Sequence, residues 1–241
     1  MQRRITPAAL VLTALVALTG CGAGTGSGTA AASPATAETQ SATPTLAKTY
    51  SNEDLTALIS ALKDSEGRPL TVVPSAQIDQ GIIKSKELLK SAVFTPTACK
   101  VLADSNSQLP ENSTYAAGST MSAADKAATV VTVIALQDAQ TMTAQLKAAR
   151  SAATQCQTFT IEAAGQKITT ETTPVGAATA GDESFAALAK QSLGTGAEQT
   201  VLTVTGVRGN LAATAVKVGP AVTEEASAEL IQLINAILAH G

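Results

Sequence analysis

The run Val130-Val131-Thr132-Val133-Ile134-Ala135-Leu136 constrains the fold more than any other stretch of this chain. It is almost continuously apolar and β-branched, the pattern of a central strand covered on both faces. Asp138 stands where it could cap a following helix, and Ala139, Met142, Leu146, Ala149 and Ala153 then recur at helical spacing. A strand that leads into an amphipathic helix predicts helices packed on a sheet.

The flanking segments extend that reading. Ser51-Asn52-Glu53-Asp54 begins a helix over 52–63, whose Leu55, Leu58, Ile59 and Leu62 share one face. Gly67-Arg68-Pro69 breaks it, and 70–73 is a short strand. A second helix covers about 76–90, with Ile78, Ile82 and Leu89 inward and Lys84, Lys86 and Lys90 toward water. Residues 93–96 form an extended step into a short helix carrying Cys99, and 104–126 read as polar and turn-rich. After Cys156 the period becomes two, giving strands over 159–163, 168–173, 185–189 and 201–205. Arg208-Gly209-Asn210 signals a hairpin into 211–218. A last helix, opened by Glu224, Glu225 and Glu229, turns Leu230, Ile234, Ile237 and Leu238 to a core. At about 16 residues it is too short to span a bilayer, and acids on its polar face suit docking on the sheet better than an interfacial membrane role. The fold class expected is α+β: an antiparallel sheet of about five to six strands packed against several helices, with one disulfide.

Composition narrows the chemistry. The chain holds 48 alanines and 34 threonines but no Trp, two Tyr, three Phe and one His. His240 alone cannot build a His-based metal cluster or a nucleophile–base triad far from the C-terminus. A net charge of −3 leaves no basic footprint for nucleic acid. The adjacent carboxylates Asp182 and Glu183 fall in a loop and point apart, and Ser119 and Ser122 have no base to activate them. A non-enzyme without metal or cofactor is the expectation. Arg208 and Asn210 at the hairpin tip could touch a partner or serve only the turn.

The N-terminus supplies an address. Arg3 and Arg4 precede an apolar run from Ile5 to Leu18, the layout of a secretory signal over residues 1–20. Leu18-Thr19-Gly20-Cys21 is similar to the bacterial lipobox, which implies acylation of the Cys21 sulfur and cleavage before it. The alternative is an ordinary signal peptide that happens to contain a cysteine. Two acyl chains would anchor the protein stably on the extracytoplasmic face of the cell membrane. Residues 21–50 then form a Gly/Ala/Ser/Thr/Pro linker too poor in large apolar side chains to fold. Its glycines, Gly22, Gly24, Gly26 and Gly28, lack the preceding strand and following helix of a phosphate loop. The folded domain is expected over 51–241.

With Cys21 used by lipid, Cys99 and Cys156 remain as an even pair in an exported domain, the usual basis of a disulfide. A redox-active pair is the rival reading, and no CxxC context favours it. Asp54–Leu62, the segment Gly67–Pro74, the step Thr95-Pro96-Thr97-Ala98-Cys99 and the helix ending at Cys156 together resemble the extracellular sensor domains of the PknH-like family, found on a mycobacterial serine/threonine kinase and in stand-alone actinobacterial lipoproteins. That resemblance implies an antiparallel sheet flanked by helices, a cleft for an extracytoplasmic ligand, and no catalysis. This chain departs from the kinase domain in permitting one disulfide where that domain has two. The expected function is therefore a membrane-anchored sensor or ligand-binding module whose partner is an envelope small molecule, lipid or protein. The alternative is a carrier of an apolar lipid or glycolipid.

Overall fold

A computed structural model describes residues 48–102, 109, 110, 112–136 and 139–241. The signal segment 1–20, Cys21, the linker up to residue 47 and the Asp138 cap lie outside the described residues. In chain order the elements are α1 (Asn52–Ala61), β1 (Thr71–Val73), α2 (Ser75–Ser91), β2 (Val93–Thr95), a 3-10 turn Thr97–Cys99, β3 (Thr114–Ser122), β4 (Ala127–Ala135), α3 (Ala139–Gln155), β5 (Thr158–Ala163), β6 (Gln166–Pro174), β7 (Glu183–Leu193), β8 (Glu198–Arg208), β9 (Leu211–Gly219), a 3-10 turn Glu224–Ala226 and α4 (Ser227–Leu238).

All nine strands belong to one antiparallel sheet in the order β1-β3-β4-β9-β8-β7-β6-β5-β2. The expectation of five to six strands is corrected to nine. The six long strands from residue 127 onward and the short strand β1, expected over 70–73, are legible in the sequence. The strands missed are β3, inside the stretch read as turn-rich, and β2, read only as an extended step. Strand β3 reads Thr-Tyr-Ala-Ala-Gly-Ser-Thr-Met-Ser, with almost no large side chains to reveal its period, yet Ala116, Ala117 and Gly118 are buried. Its register is set from outside, by β4 on one side and β1 on the other.

The main core lies on one face of the sheet. There α1 covers β3 and β4, and α4 covers β8 and β9. Ser51 and Asp54 form the capping box that starts α1, and Leu55 and Ile59 of that helix are fully buried. Leu230, Leu233, Ile234, Ile237 and Leu238 of α4 meet Leu202, Val204, Leu211 and Ala213 of the sheet. Two glycines permit these close approaches. A Cβ on Gly118 would collide with Ile59, and one on Gly206 would lie 2.8 Å from Ile234 Cγ2 and 2.9 Å from Leu238 Cδ1. The loop after α1 is held by Asp64, whose carboxylate accepts from the backbone N–H of Glu66 and Arg68, from Arg68 Nε at 2.7 Å and from Thr120 Oγ1 on β3. Burial works to raise this carboxyl, and the hydrogen bonds from Arg68 and Thr120 outweigh it, leaving Asp64 below its ordinary range.

The run 130–136 is indeed an interior strand, but it is not covered equally on both faces. Ala127, Thr129, Val131, Val133 and Ala135 are buried under the main core, whereas Ala128, Val130 and Thr132 opposite stay partly exposed until Ile134. The strands buried on both faces are β8 over Val201–Val207 and β9 over Leu211–Val216. Their Thr, Gly and Ala content diluted the apolar signal in the sequence.

Candidate ligand-binding groove

The second face of the sheet carries α2 and α3, and its geometry follows from connectivity. Helix α2 joins β1 to β2, the two opposite edges of the sheet. Nine strands span about 38 Å from edge to edge, and the 17-residue helix, about 25 Å long, crosses that distance with the extended residues that join it to β1 and β2. Helix α2 contacts β3 near one edge of the sheet and β5 near the other.

Both ends are pinned. At the start of α2, Tyr115 of β3 donates its hydroxyl proton to Asp79 in a short hydrogen bond. That bond, then burial and the Asp79 charge, push the Tyr115 phenol up to about 12. At the far end, Cys99 and Cys156 are joined by a disulfide with their Cα atoms 5.7 Å apart. Phe94, Phe159 and the partly buried Leu89 pack around it. The disulfide expected from the sequence is present, and it ties the end of α3 to the chain just after β2.

Between these pins the inward side of α2 presents Ile78, Ile82, Ser85 and Leu89. Only Ile78 is fully buried, and the other three keep partial access to solvent. Beneath them lies the middle of the sheet. Registers place Ala117, Thr132, Thr214, Thr205 and Phe185 in one cross-strand row and Ser119, Val130, Val216, Thr203 and Ala187 in the next. Side chains two apart along a strand share a face, so both rows point at the helices. Thr205 and Thr214 share a hydrogen bond of 3.1 Å between their hydroxyls. These rows are uncharged and, Phe185 apart, built from small or β-branched side chains; Ala117, Ala187, Thr203, Thr205, Thr214 and Val216 in them are buried.

Helix α3 forms the other wall. Leu146 packs on Ile134, Val207 and Ala212, near the strand ends where β4 finishes. Arg150, further along that flank, pairs with Glu183 at 2.9 Å and donates to the Ser184 carbonyl. Gln145 sits about 100° back around the helix from Leu146, on the flank away from Arg150. It is 2% exposed, and among the described residues its Oε1 accepts no hydrogen bond. Thr170 on β6, on the same sheet face, has a buried Oγ1 in the same condition. The sequence offered no signal for Gln145, because a polar residue on a helix reads as solvent-facing until the neighbouring elements are placed.

The other residues singled out from sequence have structural partners. Asp182 accepts from the Gly209 backbone N–H at 3.1 Å while Glu183 holds Arg150, so the two carboxylates do face different ways. Ser122 bonds Asp125, and Ser119 lies on strand β3 rather than in a turn. Asn210 Nδ2 donates to the carbonyls of Lys48 and Leu136, and Arg208 reaches the Leu238 carbonyl at 3.4 Å. Lys48 and the Tyr50 hydroxyl both donate to the His240 carbonyl, closing the two ends of the domain at one pole. Among the described residues no helix is long and apolar enough to cross a membrane, and no three His, Cys, Asp or Glu cluster as metal ligands would.

No protein-family profile matches the chain. No curated protein matches it either. Among solved structures it is similar to the extracellular domain of PknH from Mycobacterium tuberculosis, at 11% identity and a TM-score of 0.49, over 80% of this chain and 99% of that one. It is also similar to an uncharacterised Mycobacterium smegmatis protein, an ortholog of Rv0999, at 13% identity and a TM-score of 0.42, over 62% of this chain and 77% of that one.

Proposed function

We propose that this chain is an extracytoplasmic ligand-binding or sensor module, held at the membrane through Cys21, which recognises a molecule without transforming it. The observation that carries the reading is the sheet face under α2 and α3, where the side chains are uncharged, Ser119, Val130 and Thr132 keep partial access to solvent, and α2 is tied down near both ends. A mostly apolar face with a few placed polar groups is the kind of surface that small-molecule recognition uses. A disulfide fits an oxidising compartment, in keeping with the lipobox-like segment before Cys21. The polar side chains on this face are threonines, two serines and a glutamine, groups suited to binding rather than proton transfer.

Native mass spectrometry of the full chain purified from its own cell envelope tests the binding claim. A reproducible bound species, with a rise in Tm when that species is added back, supports it. A clean apo mass together with no Tm shift from any envelope fraction would sink it. The anchoring claim has a separate test: Cys21→Ser should move the protein from the membrane fraction to the soluble one.

A further inference from the structure

We propose that α2 is a strap: it melts and reforms as one unit over the sheet while β1 and β2 stay paired at its two ends, with the Tyr115–Asp79 hydrogen bond as its latch. The device belongs to the native, disulfide-bonded protein and stands whether or not the face beneath it recognises a ligand.

Helix α2 is lightly held for its length. Only Ile78 of its 17 residues is fully buried. The ten residues of α1 bury Leu55 and Ile59, and the twelve of α4 bury Leu230, Leu233, Ile234, Ile237 and Leu238. On α2, Ile82, Ser85 and Leu89 keep partial access to solvent, and Ile83 is 59% exposed. An element with few buried apolar contacts is the kind that opens locally, ahead of global unfolding.

The helix also has little stability of its own. Pro74 at its N-cap supplies no side-chain hydrogen bond and its first turn carries no acid, whereas α1 opens with the Ser51–Asp54 capping box. Gly81 sits in the helix interior, a position that favours alanine over glycine several-fold. Packing does not call for that glycine, since a Cβ there would meet nothing within 4 Å among the described residues. Most helical stability in proteins comes from burying one face, and α2 buries little of its own.

The ends are secured independently of the helix. Strand β1 pairs with β3, and the Tyr115 hydroxyl engages Asp79 one turn into α2. Strand β2 pairs with β5, and Leu89 packs beside the Cys99–Cys156 disulfide. The 19 residues from Pro74 to Ala92 reach about 65 Å when extended, well beyond the roughly 38 Å between the sheet edges. Melting α2 therefore leaves slack and asks neither edge strand to let go. The main core stays closed, because it lies under α1 and α4 on the opposite face. Opening bares the uncharged face on which Ser119, Val130 and Thr132 already meet water.

Hydrogen exchange on the full chain carrying Cys21→Ser, followed residue by residue by NMR with the disulfide intact, tests the strap. The amides of Gln80–Ser91 should exchange at least tenfold faster than the hydrogen-bonded amides of α4. Low urea should leave the α2 rates unchanged while raising those of α4, because a local opening exposes little surface. The hydrogen-bonded amides of β1 and β2 should remain slower than those of α2. Gly81→Ala should slow all the α2 amides together by about fivefold, the preference of a helix interior for alanine. Tyr115→Phe, which removes the latch, should speed the same amides by about two- to tenfold. The proposal is overturned by α2 rates less than tenfold above those of α4, by α2 rates that rise with urea as steeply as those of α4, or by β1 or β2 exchanging as fast as α2. An effect of Gly81→Ala confined to its immediate neighbours, or unchanged α2 exchange in Tyr115→Phe, overturns it as well. The comparison among elements of the unsubstituted domain decides the matter even where a variant fails to fold.

Discussion

Replacing Cys99 and Cys156 together by Ala should cost this domain about 4 kcal/mol. The two cysteines are 57 positions apart, and the chain-entropy relation gives roughly 4 kcal/mol for a loop of that length. For a domain of about 190 residues each kcal/mol shifts Tm by ~2–4 °C, so a fall of about 8–16 °C is expected. Scanning calorimetry on the oxidised protein, the reduced protein and the double variant measures it. Geometry also says where the loss begins. The disulfide secures the end of α2 and strand β2, an edge of only three residues paired to β5 through Phe94↔Ile161 and its neighbours. Hydrogen exchange should therefore accelerate first in α2 and β2, while β8 and β9, buried on both faces, remain protected. If both the reduced protein and the double variant melt within ~3 °C of the oxidised protein, the loop-entropy argument fails for this fold. Accelerated exchange at β1 rather than β2 would show that α2 is not held from its C-terminal end.

Other outcomes follow from the same structure. Gly206→Val, and separately Gly118→Val, should destabilise by about 1–3 kcal/mol or more in urea titrations, because each forces a helix off the sheet. Tyr115→Phe should remove the phenol titration near 12 from the ultraviolet spectrum. The Tyr115 phenol is raised in the folded state, so its stabilising contribution is complete below pH 10 and disappears as the pH climbs toward 12; the Phe variant should lack this alkaline loss. Asp64 is shifted the other way. Its contribution is complete above the ordinary value of 3.8 and is lost as the pH falls through its lower folded value. Asp64→Asn should therefore be less stable than the parent at pH 5–7, and the gap should close in strong acid, as followed by denaturant midpoints.

The elements legible in the sequence are those whose signal is local. Helix α1 was readable from Ser51, Asp54 and the Leu55–Ile59 spacing, because capping and helical period act within a few residues. The hairpin at Gly209 and the apolar run of β4 were visible for the same reason. The disulfide could be expected from counting cysteines in an exported chain, although not its place beside the β2 edge of the sheet. Strand β3 was hidden because alanine, glycine and threonine satisfy strand, turn and linker equally. What makes Thr114–Ser122 a strand is pairing with β4 and β1, together with the space Gly118 leaves for Ile59.

Sheet order and the site lie beyond local signals altogether. Thr71–Val73 pairs with residues 117–119, and Val93–Thr95 pairs with 160–162, so neither edge strand pairs with the strand next to it in sequence. That α2 bridges opposite edges of the sheet follows only once those pairings exist. The fold also brings a partly exposed Val130 and a buried Gln145 to the same side of the sheet, although neither is unusual in its own segment. Helices, hairpins and the cysteine pair follow from spacing along the chain and can be read there. Which small side chains share a face, and which polar atom is left without water, depends on burial, and burial is a property of neighbours that are distant in sequence.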